Sequence, residues 1–400
     1  MPQNYSVNAG TLFEDFENSD DWTLAGTGSA KSADTTNVKT GSQSLKVTTA
    51  VATTTSITKT ISLVPTTAGN WGLWVYIDDV ANISQLDIFL SSTTDVASTY
   101  FLKTFTSGGG AFVTGWNFLS IPRGGWTANG DEVWSNTMVR LKLRVWVPAD
   151  RTLNINFDSL YYGIYARPKV LITFDDGWTS AYTQGYAYMN PRGLKATYYI
   201  ISNSLAAGSD SADGYMSLAS AQAMYAKGND IGNHTTDHST LTTLSEADFN
   251  TKVGGCSTYL VNNGMPRAAY YLAYVGGSYD ATVITRAQSN NITHGRTIVT
   301  GTMPIIKGVV NHYLHKCYNI SNTTTLDDVK GYISTAITNG ETVTILFHKL
   351  VVSPKASTEW AISDFQALID YLKPKVDGNV LDVVTVSEWY KGLSSPRRLV

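Results

Sequence analysis

Lys169-Val170-Leu171-Ile172-Thr173-Phe174-Asp175-Asp176-Gly177 sets four apolar side chains in a six-residue run against two adjacent carboxylates and a glycine. A short apolar run stopped by a turn signal predicts a buried strand over 169–174, with both carboxylates at its carboxyl end. The same grammar repeats downstream. Strands are expected at 196–201, 230–233, 269–274, 296–299, 342–347 and 381–386, and helices at 218–227, 245–263, 281–290, 326–338 and 364–372. Ser245 and Asp248 form a capping box for the second of these helices, and Gly264 ends it. Strands alternating with helices imply a parallel sheet or a β/α barrel, in which reacting groups gather where strands end.

Upstream of residue 165 the pattern changes to period-two alternation, at 44–48, 71–77, 85–90, 117–121, 139–147 and 154–160, separated by stretches rich in Gly, Ser, Thr, Asn and Asp. Helical periodicity is absent, so this half reads as an all-β jelly-roll sandwich. The expected organisation is multidomain, with a β-sandwich over 1–165 and a second domain over 166–400. Hydrophobic residues make up 43% of the 400, enough for two cores, while charged residues are 15% and net charge is 29 − 32 = −3. Such a chain has no basic field for nucleic acid, and no apolar run approaches the ~20 residues of a membrane span. The opening Met1-Pro2-Gln3-Asn4 shows no secretory signal. Cys256 and Cys317 are too few for a disulfide framework or a cysteine zinc site.

Three constellations carry chemistry. Asp175-Asp176-Gly177 alone is a common turn, but two adjacent carboxylates are best accommodated when one binds a cation and the other moves a proton. In His234-Thr235-Thr236-Asp237-His238 two imidazoles stand four apart, and one helical turn would place both on one face. The alternative is a pair of solvated histidines, yet two of the chain's six histidines fall here, at another strand end. With one aspartate they make a His₂Asp set, the open arrangement of a hydrolytic metal site. His348 follows the apolar run 342–347; by itself it reads as a packed histidine, but it too stands at a strand's carboxyl end.

Together these stretches resemble the polysaccharide deacetylases with a NodB-homology domain, carbohydrate esterase family four, over about residues 165–392. Thr173-Phe174-Asp175-Asp176-Gly177 resembles the family's first motif, His234-Thr235-Thr236-Asp237-His238 its second, and Thr344-Ile345-Leu346-Phe347-His348 its last. The resemblance implies a distorted β/α barrel that removes N- or O-linked acetyl groups from a polysaccharide. It implies Asp175 as base, Asp176, His234 and His238 as metal ligands, Leu346 beside the acetyl methyl and His348 as acid. Zinc suits this ligand set, and cobalt or nickel are also accepted.

The third motif departs from the family. Its arginine position is Ala273, and the Pro-Tyr pair is replaced by Val275-Gly276 ahead of Gly277-Ser278-Tyr279-Asp280. A backbone donor survives substitution, so Gly276 can still serve an oxyanion, and Arg296 is a candidate to reach the base instead. Asp382 and Trp389 are candidates for the pair that buttresses the family's histidine. Tyr274 and Trp178 are candidate sugar contacts, with Tyr271, Tyr279 and Trp360 behind them; His294, His312 and His315 are read as structural. The degraded motif leaves a second reading open, a glycan-binding protein with a catalytically impaired barrel.

The amino-terminal half resembles carbohydrate-binding jelly rolls, through Phe13-Glu14-Asp15-Phe16-Glu17, residues 39–47 and 155–160. The resemblance implies a structural calcium held by Glu17 and Asp158; Trp71, Trp116 and Trp126 are candidate glycan contacts if exposed, with Trp71 and Trp74, inside an apolar run, read rather as sandwich core. Deployment outside the cell, on a surface or on a virion would follow.

Overall fold

The computed structural model describes residues 10–51, 54–65, 69–107, 112–164, 167–304 and 312–392. The expected domain boundary at 165/166 and the residues Met1–Asn4 lie outside these. The described chain forms two compact units, one ending at residue 164 and the other beginning at Arg167.

The first unit is all-β. Thr11–Glu14, Ala30–Asp34, Ser44–Thr48, Asn154–Ile164, Asn70–Ile77 and Gly115–Ile121 form one antiparallel sheet; Thr127–Asn129, Tyr100–Thr106, Gln85–Ser91, Met138–Trp146, Thr54–Leu63 and Thr23–Ala25 form another. Alternate side chains of both sheets, such as Leu73, Val75, Ile88 and Leu143, share one core, as period-two patterning requires. The ten-residue strand Thr54–Leu63 was not among the expectations. Its Ser/Thr-rich sequence reads as loop, but β-branched threonines suit a half-buried strand at a sheet's periphery.

One expectation for this unit is corrected: Trp126 packs edge to face on Trp71 in the core at 5.7 Å and is 8% exposed, so it offers no face to a glycan, while Trp71, 2% exposed, is core as read. Glu17 and Asp158 are consumed by hydrogen bonds. Glu17 accepts from the backbone N–H groups of Ser42 (2.9 Å) and Gln43 (3.3 Å), and buried Asp158 accepts from Lys39 N (2.7 Å), Thr40 N (3.2 Å) and Thr40 Oγ1 (2.8 Å). Partial burial of Glu17 works against ionisation, but these donors prevail and lower its pKa. The two acids tie down the 39–43 loop as a bound cation would.

In the second unit we number the parallel strands β1 Lys169–Phe174, β2 Thr197–Ile200, β3 Asp230–Asn233, β4 Ala268–Ala273, β5 His294–Arg296, β6 Tyr318–Asn319, β7 Glu341–Phe347 and β8 Asp382–Val383. The sheet runs β5-β4-β3-β2-β1-β7, with β6 on β7 and a short antiparallel strand, Met303–Pro304, also on β7. β7 pairs along all of β1, so β1's other edge is divided between β8 at Lys169–Val170 and β2 at Thr173–Phe174. This is a parallel half-barrel. Apolar runs such as Val170–Ile172 are buried on both faces, as expected of a parallel sheet covered by helices.

Helix Leu326–Asn339 begins with a capping box between Thr325 and Asp328 and stops at Gly340, whose φ of 63° suits glycine. Two elements differ from expectation. β5 begins at His294 rather than 296, and the 381–386 strand shortens to Asp382–Val383 because helix Val386–Gly392 starts where it was expected to end. Asp382 and Trp389 accordingly belong to the wrong edge for a buttress of His348. Asp382 pairs with Arg167 (2.8 Å) and Lys169 (3.7 Å) at the amino end of β1, and Trp389 donates to Thr342 Oγ1 (3.0 Å) at the amino end of β7.

Candidate active site

Parallel register brings the strand ends together. Phe174 of β1 is paired with Phe347 of β7, and Asp175 N donates to Phe347 O (2.9 Å), so Asp175 and His348 leave adjacent strands side by side. β3 delivers His234 and β4 ends at Ala273 beside it.

The His234–His238 segment is a turn rather than the expected helix. Asn233 Oδ1 accepts from Thr235 N (2.8 Å) and Thr235 Oγ1 accepts from His238 N (2.9 Å), local bonds that compete with helical ones. Thr235 and His238 sit at φ 68° and 62°, and Asp176 at φ 71°. Non-glycine residues in this region carry strain of order 1–3 kcal/mol each and persist only where their surroundings over-determine them. Asn233 supplies that constraint, donating to Val253 O and Ser257 Oγ, both at 2.8 Å.

The fixed turn places one ligand atom from each of Asp176, His234 and His238 within 4.8 Å of the others. Asp176 Oδ1 lies 3.5 Å from His234 Nε2 and 3.3 Å from His238 Nε2, yet it is buried with no hydrogen-bond donor among the described residues. His234 Nδ1 is 2.9 Å from Ala273 O. A carbonyl only accepts, so Nδ1 carries the proton and neutral Nε2 turns its lone pair toward the carboxylates. The Nε2 atoms of both imidazoles and an orphaned carboxylate oxygen facing one point fit a divalent cation such as zinc. Burial opposes ionisation of Asp176, but the adjacent imidazoles outweigh it and hold the carboxyl far below its usual range. The same carboxylate raises the pKa of His238, which is 45% exposed and opens the site to solvent.

Asp175 lies outside this trio, with Oδ2 at 3.8 Å from His234 Nε2 and only 4% exposed. Its partner is Arg296, whose Nη2 donates to both carboxylate oxygens. Arg296 is fully buried, and among the described residues its Nε and Nη1 find no acceptor. Burial disfavours its charge, but Asp175 prevails and raises its pKa further. The register of β4 and β5 sets Arg296 opposite Ala273, the position where the family's arginine is missing. His348 is mostly buried, and burial lowers its pKa against the pull of Asp175 and Asp176.

Gly276 has φ 58°, and a Cβ added to it would meet no atom within 4 Å, so that side of its backbone is open. The aromatic expectations divide. Tyr274 (1% exposed, stacked on Tyr279 at 5.4 Å) and Trp360 (3%, donating to Thr324 O) offer no surface to a sugar, while Leu346, expected beside the acetyl methyl, is buried. Tyr271 is likewise buried. Trp178 is half-buried, and its indole N–H donates to Asp176 Oδ2 at 3.0 Å, a role the sequence gave no sign of. His294 and His315 pack beside Trp389 behind Arg296, and His315 bridges to Arg296 through the backbone.

Residues 163–295 match the family model described as polysaccharide deacetylase. Over that stretch the chain is similar to polysaccharide deacetylases. The matched stretch holds Asp175, Asp176, His234 and His238 and ends one residue before Arg296. YxkH of Bacillus subtilis (strain 168), which bears a polysaccharide deacetylase name, is 27% identical over 147 residues, 37% of this chain and 50% of its own length. The chain thus spans about half of the curated relative it matches. Among solved structures, the Streptococcus pyogenes deacetylase PplD in complex with acetate has a TM-score of 0.36 at 21% identity, covering 41% of this chain and 69% of that one. A family 4 carbohydrate esterase from Streptomyces lividans in complex with acetate has a TM-score of 0.35 at 16% identity, covering 54% and 91%.

Proposed function

We propose that the second unit is a metal-dependent hydrolase that removes N- or O-linked acetyl groups from a polysaccharide. The observation that carries this reading is the buried Oδ1 of Asp176, without a donor among the described residues, between the Nε2 atoms of His234 and His238. Bound there, a divalent ion supplies Lewis acidity, polarising an acetyl carbonyl and making water easier to deprotonate.

The chain's own groups do the rest. Asp175, aimed by Arg296, takes a proton from the attacking water. The backbone N–H at Gly276 is the protein donor we assign to the oxyanion. His348 gives a proton to the departing amine or sugar oxygen. Because burial favours neutral His348, the proton-bearing form is the scarcer one near neutrality.

A glycan-binding protein with an impaired barrel is the weaker reading. Its support was the missing third-motif arginine, and Arg296 occupies the partnership that residue would have made. We propose the amino-terminal unit as a jelly-roll carbohydrate-binding module that keeps polysaccharide near the site, with part-exposed Trp116 on its outer face, and deployment outside the cell or on a virion.

The test is acetate release from chitin oligomers, peptidoglycan fragments, acetylxylan and bacterial capsules, with and without chelator. Chelator-sensitive release from one of them is expected; no release from any zinc-loaded sample would sink the reading.

A further inference from the structure

The two oxygens of Asp176 are treated differently. Oδ1 faces the imidazoles without a donor among the described residues, while Oδ2 accepts the indole N–H of Trp178 at 3.0 Å. The consecutive left-handed residues Asp176 (φ 71°) and Gly177 (φ 86°) fold the chain back so that a side chain two positions on reaches the carboxylate.

The indole is itself pinned. It stacks on Tyr215 with ring centroids 4.7 Å apart and planes 19° from parallel. The backbones on either side are zipped together, Thr179 N to Gly214 O and Met216 N to Gly177 O, each 2.9 Å. The Lys349 ammonium lies 5.2 Å from the ring centroid and is paired with Asp213 at 3.0 Å. Few rotamers are left to Trp178, so its N–H is a fixed donor.

We infer that Trp178 is a positioning residue for the metal ligand: by occupying Oδ2 it presents Asp176 to the cation through Oδ1 alone. A carboxylate so restrained cannot clasp the ion with both oxygens, and room remains for water and substrate. Hydrogen-bonded partners of metal ligands commonly govern affinity in this way. The inference rests on the metal-dependent reading above.

The experiment measures zinc affinity by competition with a chromophoric chelator, and the cobalt(II) absorption spectrum, on the full chain. Trp178→Phe keeps the stacked ring and deletes the N–H; its zinc Kd is expected to rise about 10–100-fold with an altered cobalt spectrum, at an unchanged melting temperature of the metal-free protein. Trp178→His, which restores a ring N–H, is expected between the two. Wild-type protein that holds zinc while Trp178→Phe binds within about threefold of it, with the same spectrum, overturns this inference and leaves the metal reading standing. Wild-type protein that holds no zinc overturns that reading itself. Should Trp178→Phe fail to fold, Trp178→His decides by the same two measurements, an affinity and spectrum nearer wild type than those of a Trp178→Leu variant supporting the donor role and losses equal to that variant's refuting it.

Discussion

Arg296 Nη2 donates to both oxygens of Asp175 across 121 residues of sequence, and neither side chain is accessible to solvent beyond a few per cent. A buried charge pair of this kind adds little over an apolar substitute, but removing one member strands the other charge. Arg296→Ala is therefore expected to destabilise the second unit by about 3–5 kcal/mol in urea unfolding, and to lower acetate release. Arg296→Lys keeps the charge without the guanidinium plane and should recover part of the stability. A stable, fully active Arg296→Ala protein would show that Asp175 needs no partner.

Asp175 and Asp176 are neighbours with different surroundings, and substitution should separate them. Asp175→Asn is expected to keep its zinc, read by elemental analysis, while turnover falls about 10²–10⁴-fold. His234→Ala should lose zinc and turnover together. An active Asp175→Asn enzyme would assign the base to another group.

His294 and His315 are buried and neutral. Burial, reinforced by the neighbouring His315 for His294 and by Arg296 for His315, pushes the first well below its usual pKa and the second to about 3. The unfolded chain takes up these protons near pH 6.5 and the folded chain does not, so the stabilising contribution is complete above pH 6.5 and drains away as pH falls toward 3. His315→Gln should therefore be markedly less stable than wild type at pH 7, and the gap should narrow by about 2 kcal/mol at pH 5. A gap independent of pH in parallel denaturant titrations would mean that His315 titrates normally.

Asp158 accepts three hydrogen bonds from Lys39 and Thr40, and Ser159 Oγ donates a further one at 2.8 Å. Asp158→Ala should destabilise the amino-terminal unit by about 1–3 kcal/mol for each donor left buried without an acceptor. Calcium added to wild-type protein should leave its melting temperature unchanged; a calcium-dependent rise would restore the cation expected from sequence.

Much of this was legible in advance because burial and chemistry both mark strand ends. The run 169–174 leads directly into Asp175 and Asp176, and the strand 230–233 into His234, so the strand boundaries and the chemistry agreed. What could not be read depends on side chains bonding to nearby backbone. The His234–His238 spacing fits a helix equally well, and only Asn233 and Thr235 together select the turn. Trp178 looked like a sugar platform because exposure and stacking are invisible in a sequence. That Tyr274 and Leu346 are buried follows from packing, which their place along the chain does not reveal.

The exchange between Ala273 and Arg296 bears on how relatives of this protein should be sorted. A comparison made letter by letter registers a vacancy at one column and a stray basic residue at another, and would file the chain with proteins that have shed their activity. Measured across the sheet, the positive charge has only moved to the adjoining strand and still arrives at the same acid. Surveys for inactive members of such families will misjudge any sequence in which a partner has migrated sideways, unless they count what reaches each carboxylate instead of what precedes it.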